Sequence, residues 1–114
     1  MSVTVSELTR KSCKACEGGV PPMDGEQIRE HLTALPQWEL VEGGKLIRRK
    51  YKFKDFVTAM AFLQKVGDLA EAEGHHPDLH LTGYRMAAVE LTTHAIGGLS
   101  ENDFIVAAKI DALS

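Results

Sequence analysis

The feature that most constrains this chain is a long helix made to stop at one place. From Asp55 onward, apolar residues recur at spacings of three or four: Phe56, Met60, Leu63, Val66 and Ala70, with Phe62 and Leu69 widening the stripe. Such an amphipathic run must cover a core, and Asp55 is a residue type that caps a helix start. Gly74 stands where a left-handed residue closes a helix, and Pro77 forbids the helix from resuming. Between them lie His75 and His76. The helix therefore ends by displaying two imidazoles just past a rigid terminus. Four of the five histidines fall between residues 75 and 94. Histidine is the one side chain whose unperturbed pKa lies near physiological pH, so proton chemistry is sought here first.

The other elements form a frame around this point. Residues 1–23 are read as an N-terminal arm, because Gly18, Gly19, Pro21 and Pro22 forbid a helix through them. Residues 24–114 are read as a single domain. Asp24 and Gln27 make a capping box, Ile28, Leu32 and Leu35 follow at helical spacing, and Pro36 ends the run. His31 in that helix is expected to be partly exposed and structural. Residues 38–41 alternate as a strand does, and Gly43 and Gly44 tolerate the positive φ of a tight hairpin. Ile47, Arg49, Tyr51 and Phe53 share one face of the return strand. Residues 79–93 are β-like, with Gly83 the only breaker, which leaves open one bent strand or a hairpin. Ser100 and Asp103 form a second capping box before a last helix whose packing residues are Phe104, Ala107, Ala108 and Ile110. Hairpins with helices packed on one face make an α+β two-layer domain.

Composition excludes several functions. The 114 residues suit one domain with one modest core. A net charge of −3 argues against general nucleic-acid binding. Six of the thirteen basic residues cluster between Lys45 and Lys54, and one such strand is read as a solvated face that resists edge pairing. No apolar run approaches a membrane span. No basic-then-apolar leader is present, so the cytoplasm is the expected compartment. Cys13 and Cys16 are spaced Cys-x-x-Cys, but in a loop rather than at a helix start after a strand, and without a second such pair. A structural or incidental role is expected for them.

The histidine cluster suits acid/base chemistry without a metal. Adjacent side chains in an extended segment point apart, so His75 and His76 need not do the same job. Glu71 lies one helical turn before His75 and is placed to orient an imidazole or to hydrogen-bond a ligand. There is no His-Glu-x-x-His pattern and no nucleophile motif, P-loop or dinucleotide fingerprint. What remains is proton transfer by imidazoles, as in an elimination or tautomerisation that needs one group to give a proton and another to take one.

The spaced set Glu71, His75, His76, Pro77, Tyr84, His94 and Asp103 resembles the signature of the pterin-4a-carbinolamine dehydratases, and the flanking residues from Thr92 to Asp103 agree. Trp38 ahead of the first hairpin agrees too, and the arm around Cys13, Cys16, Pro21 and Pro22 resembles bacterial members. The likeness covers about residues 11–112. It implies a four-stranded antiparallel sheet with helices on one face, an N-terminal helix followed by β-β-α-β-β-α, and so a hairpin at Gly83. It implies dehydration of a 4a-hydroxytetrahydropterin to quinonoid dihydropterin with no cofactor and no metal. His75 and His94 become the acid/base candidates, and His76 a third member of the catalytic set that binds and orients the pterin. Glu71, Pro77, Thr93, Trp38 and Asp103 become substrate-site candidates. The resemblance further implies a homodimer or homotetramer with a small pterin as its partner, and neither a nucleic acid nor a membrane. Relatives on the same fold serve as transcriptional dimerisation cofactors or as assembly chaperones, but the chaperones tend to lose the histidines that this chain keeps. Two departures stand out: Gly74 replaces the acidic or amide residue that many relatives carry, and a longer spacer between Pro77 and Tyr84 suggests a bulge near Gly83.

Overall fold

A computed structural model describes residues 4–13 and 21–113. The expectations that rest on Cys16, Gly18 and Gly19 lie outside the described residues. The chain runs α1 (Val5–Arg10), α2 (Gly25–Thr33), β1 (Glu39–Val41), β2 (Leu46–Lys52), α3 (Phe56–Glu73), β3 (Asp78–Thr82), β4 (Met86–Leu91) and α4 (Glu101–Asp111). The four strands form one antiparallel sheet in the order β1-β2-β4-β3. This is the α+β arrangement the sequence predicts, with one helix more. No helix among the described residues is long and apolar enough to cross a membrane.

Local sequence explains the element ends. Asp24 accepts from the Gln27 N–H and Gln27 returns a bond to the Asp24 N–H, which closes the capping box of α2. Asp55 accepts from the Thr58 N–H and starts α3. Gly43 and Gly44 take positive φ in the first hairpin. Gly83 and Tyr84 do the same in the second, where the segment at Gly83 is a hairpin turn. The bulge expected near Gly83 is not there. The pairing of β4 with both β2 and β3 runs in unbroken register, and the three-residue turn absorbs the extra length.

The core lies between one face of the sheet and the helices. Ile47, Val89 and Leu91 come from the sheet, and Phe104, Val106 and Ile110 from α4. Seven consecutive residues, Asn102 to Ala108, are buried, so α4 is enclosed on all sides rather than on one stripe. The face of α3 differs from the expected one. Ala59, Phe62, Val66 and Ala70 are buried, whereas Phe56 and Met60 are about half exposed. The ring of Phe62 sets this rotation by packing against Tyr51 at 4.6 Å and Phe53 at 5.2 Å. His31 is also corrected: it is buried, with Nδ1 2.8 Å from the Gln27 carbonyl and its ring 4.9 Å from that of Phe104.

Helix α1 was not expected from the sequence. It packs against α4 and contributes Leu8, which is fully buried in the same core. Leu8→Ala should therefore destabilise the protein by about 2–5 kcal/mol, the range for emptying a buried leucine site. Urea unfolding checks this, and a loss below about 0.5 kcal/mol, the level of a surface change, would show that α1 adds nothing to the core.

Candidate functional site

Helix α3 ends as its sequence dictates. Gly74 has φ 66°, and its N–H and that of His75 turn back to the last carbonyls of the helix, Glu71 and Ala70. This closure aims His75 at α4. Its Nε2 lies 2.6 Å from Oδ1 of Asp103. Asp103 is fully buried. Its other oxygen, Oδ2, accepts from the Thr93 hydroxyl at 2.8 Å and the Ser100 N–H at 2.9 Å. The Thr93 and Ser100 hydroxyls are themselves 2.7 Å apart. A carboxylate only accepts, so Nε2 of His75 is the nitrogen that donates to it, and Nδ1 is the ring nitrogen that Asp103 does not engage.

The other two histidines of the motif approach the same cleft. His76 is exposed, with Nε2 3.0 Å from Oε2 of Glu71 on the last turn of α3. His94 opens a single 3₁₀ turn, His94–Ile96, that follows β4. A bridge between Thr93 and Gly98 pinches this loop shut, and Gly97 closes the turn at φ 68°. Gly98 is required by close approach: a Cβ there would stand 2.7 Å from the Pro22 side chain. The cleft, about 490 Å³, is lined by His75, His76 and His94 together with Thr92, Thr93, Asn102, Glu73 and Cys13.

The sequence-predicted site residues thus divide. His75, His76, His94 and Thr93 line the cleft, Asp103 stands behind His75, and Glu71 holds His76 from outside. Pro77 is half-buried beyond the pair and is not among the lining residues. Trp38 is in the core, where its Nε1–H donates to Asp111 at the far end of α4, and it does not line the cleft. His80 lies on the sheet, 2.8 Å from Glu90, which also pairs with Arg48.

Two further residues line the wall: Glu73, which the sequence did not mark, and Cys13, for which a structural or incidental role was expected. Glu73 is the last residue of α3. It takes Nζ of Lys109 at 2.7 Å on one oxygen and the Cys13 N–H at 2.9 Å on the other. The bond from Lys109, then that from Cys13, holds its carboxyl below the ordinary value, with burial opposing. A carboxyl lowered in this way stabilises the fold above its unfolded value near 4.5, and the contribution is lost as pH falls through the lowered value. Burial, followed by the charge of Glu73, pushes the Cys13 thiol up to about 12.

Fold and cleft together define a small α+β protein in which three imidazoles line one cleft and a buried carboxylate stands behind one of them. The chain belongs to the pterin 4 alpha carbinolamine dehydratase family, whose model matches residues 21–113. A relative from Halorhodospira halophila, named "Putative pterin-4-alpha-carbinolamine dehydratase", is 50% identical over 106 residues, 93% of this chain and 96% of the relative. The crystal structure of a transcriptional coactivator/pterin dehydratase from Brucella melitensis is similar at TM-score 0.75 and 36% identity, over 81% of this chain and 97% of that one. A pterin dehydratase-like protein, identified as a RuBisCO assembly factor in the alpha-carboxysome, shares the fold at TM-score 0.57 and 23% identity, over 68% of this chain and 88% of that one.

The raised thiol gives a direct check of this geometry. With Cys16 changed to serine, iodoacetamide at pH 8 should alkylate Cys13 on the order of a hundredfold more slowly than a free thiol, because its thiolate is much scarcer while the more basic thiolate is somewhat more nucleophilic. Alkylation at the free-thiol rate would contradict the burial described.

Proposed function

We propose that this chain is a lyase that dehydrates 4a-hydroxytetrahydropterins to quinonoid dihydropterins, and so recycles tetrahydrobiopterin-type cofactors. The observation that carries this reading is the imidazole of His75, held by buried Asp103 at the wall of a cleft that His76 and His94 also line. The reaction breaks the C4a–O bond, and the hydroxyl leaves as water after taking a proton. The N5–H proton is lost, and its electron pair closes the N5–C4a double bond. One donor and one acceptor suffice, and imidazoles serve as both near neutral pH. His75 and His94 are the acid/base pair. His76, braced by Glu71, binds and orients the pterin.

Relatives on this fold include proteins named for assembly and coactivator roles. Fold alone does not choose among them. The retained histidines and their buried aspartate favour catalysis, since a docking surface has no need of an imidazole oriented by a buried carboxylate. The reading extends to a homodimer or a dimer of dimers. Strands β1 and β3 are sheet edges, and Phe56, Val57 and Met60 leave apolar surface on the start of α3. Light scattering at micromolar concentration should give a dimer or a tetramer, and a monomer would contradict this extension.

Turnover tests the chemistry. His75→Ala and His94→Ala should each lower kcat by about 10²–10⁴-fold, or roughly 3–5 kcal/mol of barrier. If the two serve opposite faces of the ring, each loses activity mainly toward one 4a-epimer. His76→Ala should act largely on KM, as loss of a uniform binding contact does. Steady-state kinetics on resolved 4a-epimers, with circular dichroism to confirm folding, checks all three. Wild-type kcat in a folded His75→Ala, His94→Ala double mutant would overturn the assignment.

A further inference from the structure

Helix α3 is fastened to α4 twice near the site. His75 meets Asp103 in the first turn of α4, and Glu73 meets Lys109 near its end. Lys109 follows Asp103 by six positions, which places the two ties about 9 Å apart along the helix axis. A helix end held at one point can pivot about it, and one held at two such points cannot. Glu73 and Lys109 are also largely shielded, with side chains 13% and 18% exposed, so this pair is weakly screened by solvent.

The same carboxylate reaches across to the N-terminal arm. Its Oε1 accepts the Cys13 N–H, and the Cys13 thiol lies 3.7 Å from the Asn102 carbonyl, a long sulfur hydrogen bond. Cys13 is 60 residues away in sequence, yet it lines the cleft beside His75. We propose that Glu73 is a positioning residue: clamped by Lys109, it fixes the helix end that displays His75 and His76 and holds Cys13 in place as one wall of the pterin cleft. This inference rests on the dehydratase reading for its substrate, though not for its geometry. Asp103 keeps His75 oriented without Glu73, so losing the clamp loosens the wall more than it disturbs the imidazole.

The test uses the full-length protein with Cys16→Ser, adding Glu73→Ala, Glu73→Gln or Lys109→Met. Two quantities are measured below the melting transition: the alkylation rate of Cys13 by iodoacetamide, and kcat and KM for the 4a-hydroxytetrahydropterin. Lys109→Met, which keeps the Glu73 charge beside the thiol, should speed alkylation at least roughly tenfold, as local opening around Cys13 does; Glu73→Ala should do so too, in part through loss of that charge. They should raise KM about fivefold or more while kcat changes less than about threefold, the pattern of a lost binding wall. Glu73→Gln has one acceptor oxygen for two donors and loses the ion pair to Lys109, so it should open as Lys109→Met does.

Unchanged alkylation and KM in both Glu73→Ala and Lys109→Met would overturn the proposal. So would a fall in kcat alone, or a Glu73→Gln protein as protected as the parent. If Glu73→Ala does not fold, Lys109→Met and Glu73→Gln decide the same points. If the parent protein shows no dehydration, the functional reading fails, while alkylation still decides whether the clamp exists.

Discussion

The buried carboxylate of Asp103 is the point on which the site depends. A charge removed from water costs several kcal/mol unless it is paired and hydrogen-bonded. Asp103 meets that condition with three donors from three parts of the chain: His75 after α3, Thr93 after β4, and the Ser100 N–H at the start of α4. Its place at the third position of α4 also suits the positive end of the helix. Removing it would orphan all three partners, at about 1–3 kcal/mol for each buried group left unsatisfied. The interaction that orients the imidazole is therefore also the one that joins the two histidine-bearing loops.

Those loops are short and firmly ended. Gly74 and Gly97 both take the left-handed conformation, the first closing α3 just before His75 and the second closing the turn that begins at His94. Gly98 lets the His94 loop sit directly on Pro22, and the Met23 N–H donates to the Leu99 carbonyl at 2.9 Å. Precise placement of the side chains thus comes from helix ends and turn closures rather than from long loops. This is how a chain with a modest core can preorganise a site.

Much of this could be read from the sequence because the signals were local. The caps at Asp24, Asp55 and Ser100, the stop at Gly74 and the hairpin at Gly43 each depend on a few neighbouring residues, and all lie where they were expected. The histidines could be found for the same reason: residue type and spacing mark them. What could not be read depends on contacts between distant residues. The rotation of α3 is set by Phe62 meeting Tyr51 and Phe53 across the sheet, and periodicity alone could not choose it over a stripe through Phe56 and Met60. His31 is drawn inside by Phe104, 73 positions later. Helix α1 is six residues long and buries only Leu8, too little for a periodic pattern. Trp38 shares a motif with the site residues but pairs with Asp111 in the core, because chain order does not report spatial neighbourhood.

If Asp103 sets the tautomer of His75, it leaves Nδ1 to the substrate. Nitrogen-15 NMR of the histidine side chains, without and then with a non-reacting reduced pterin, tests it most directly. The expected result is a proton fixed on Nε2 of His75 throughout, and an Nδ1 resonance that moves when the pterin binds. A proton resident on Nδ1 in the free protein, or a bound pterin that leaves the His75 nitrogens unmoved, would contradict it.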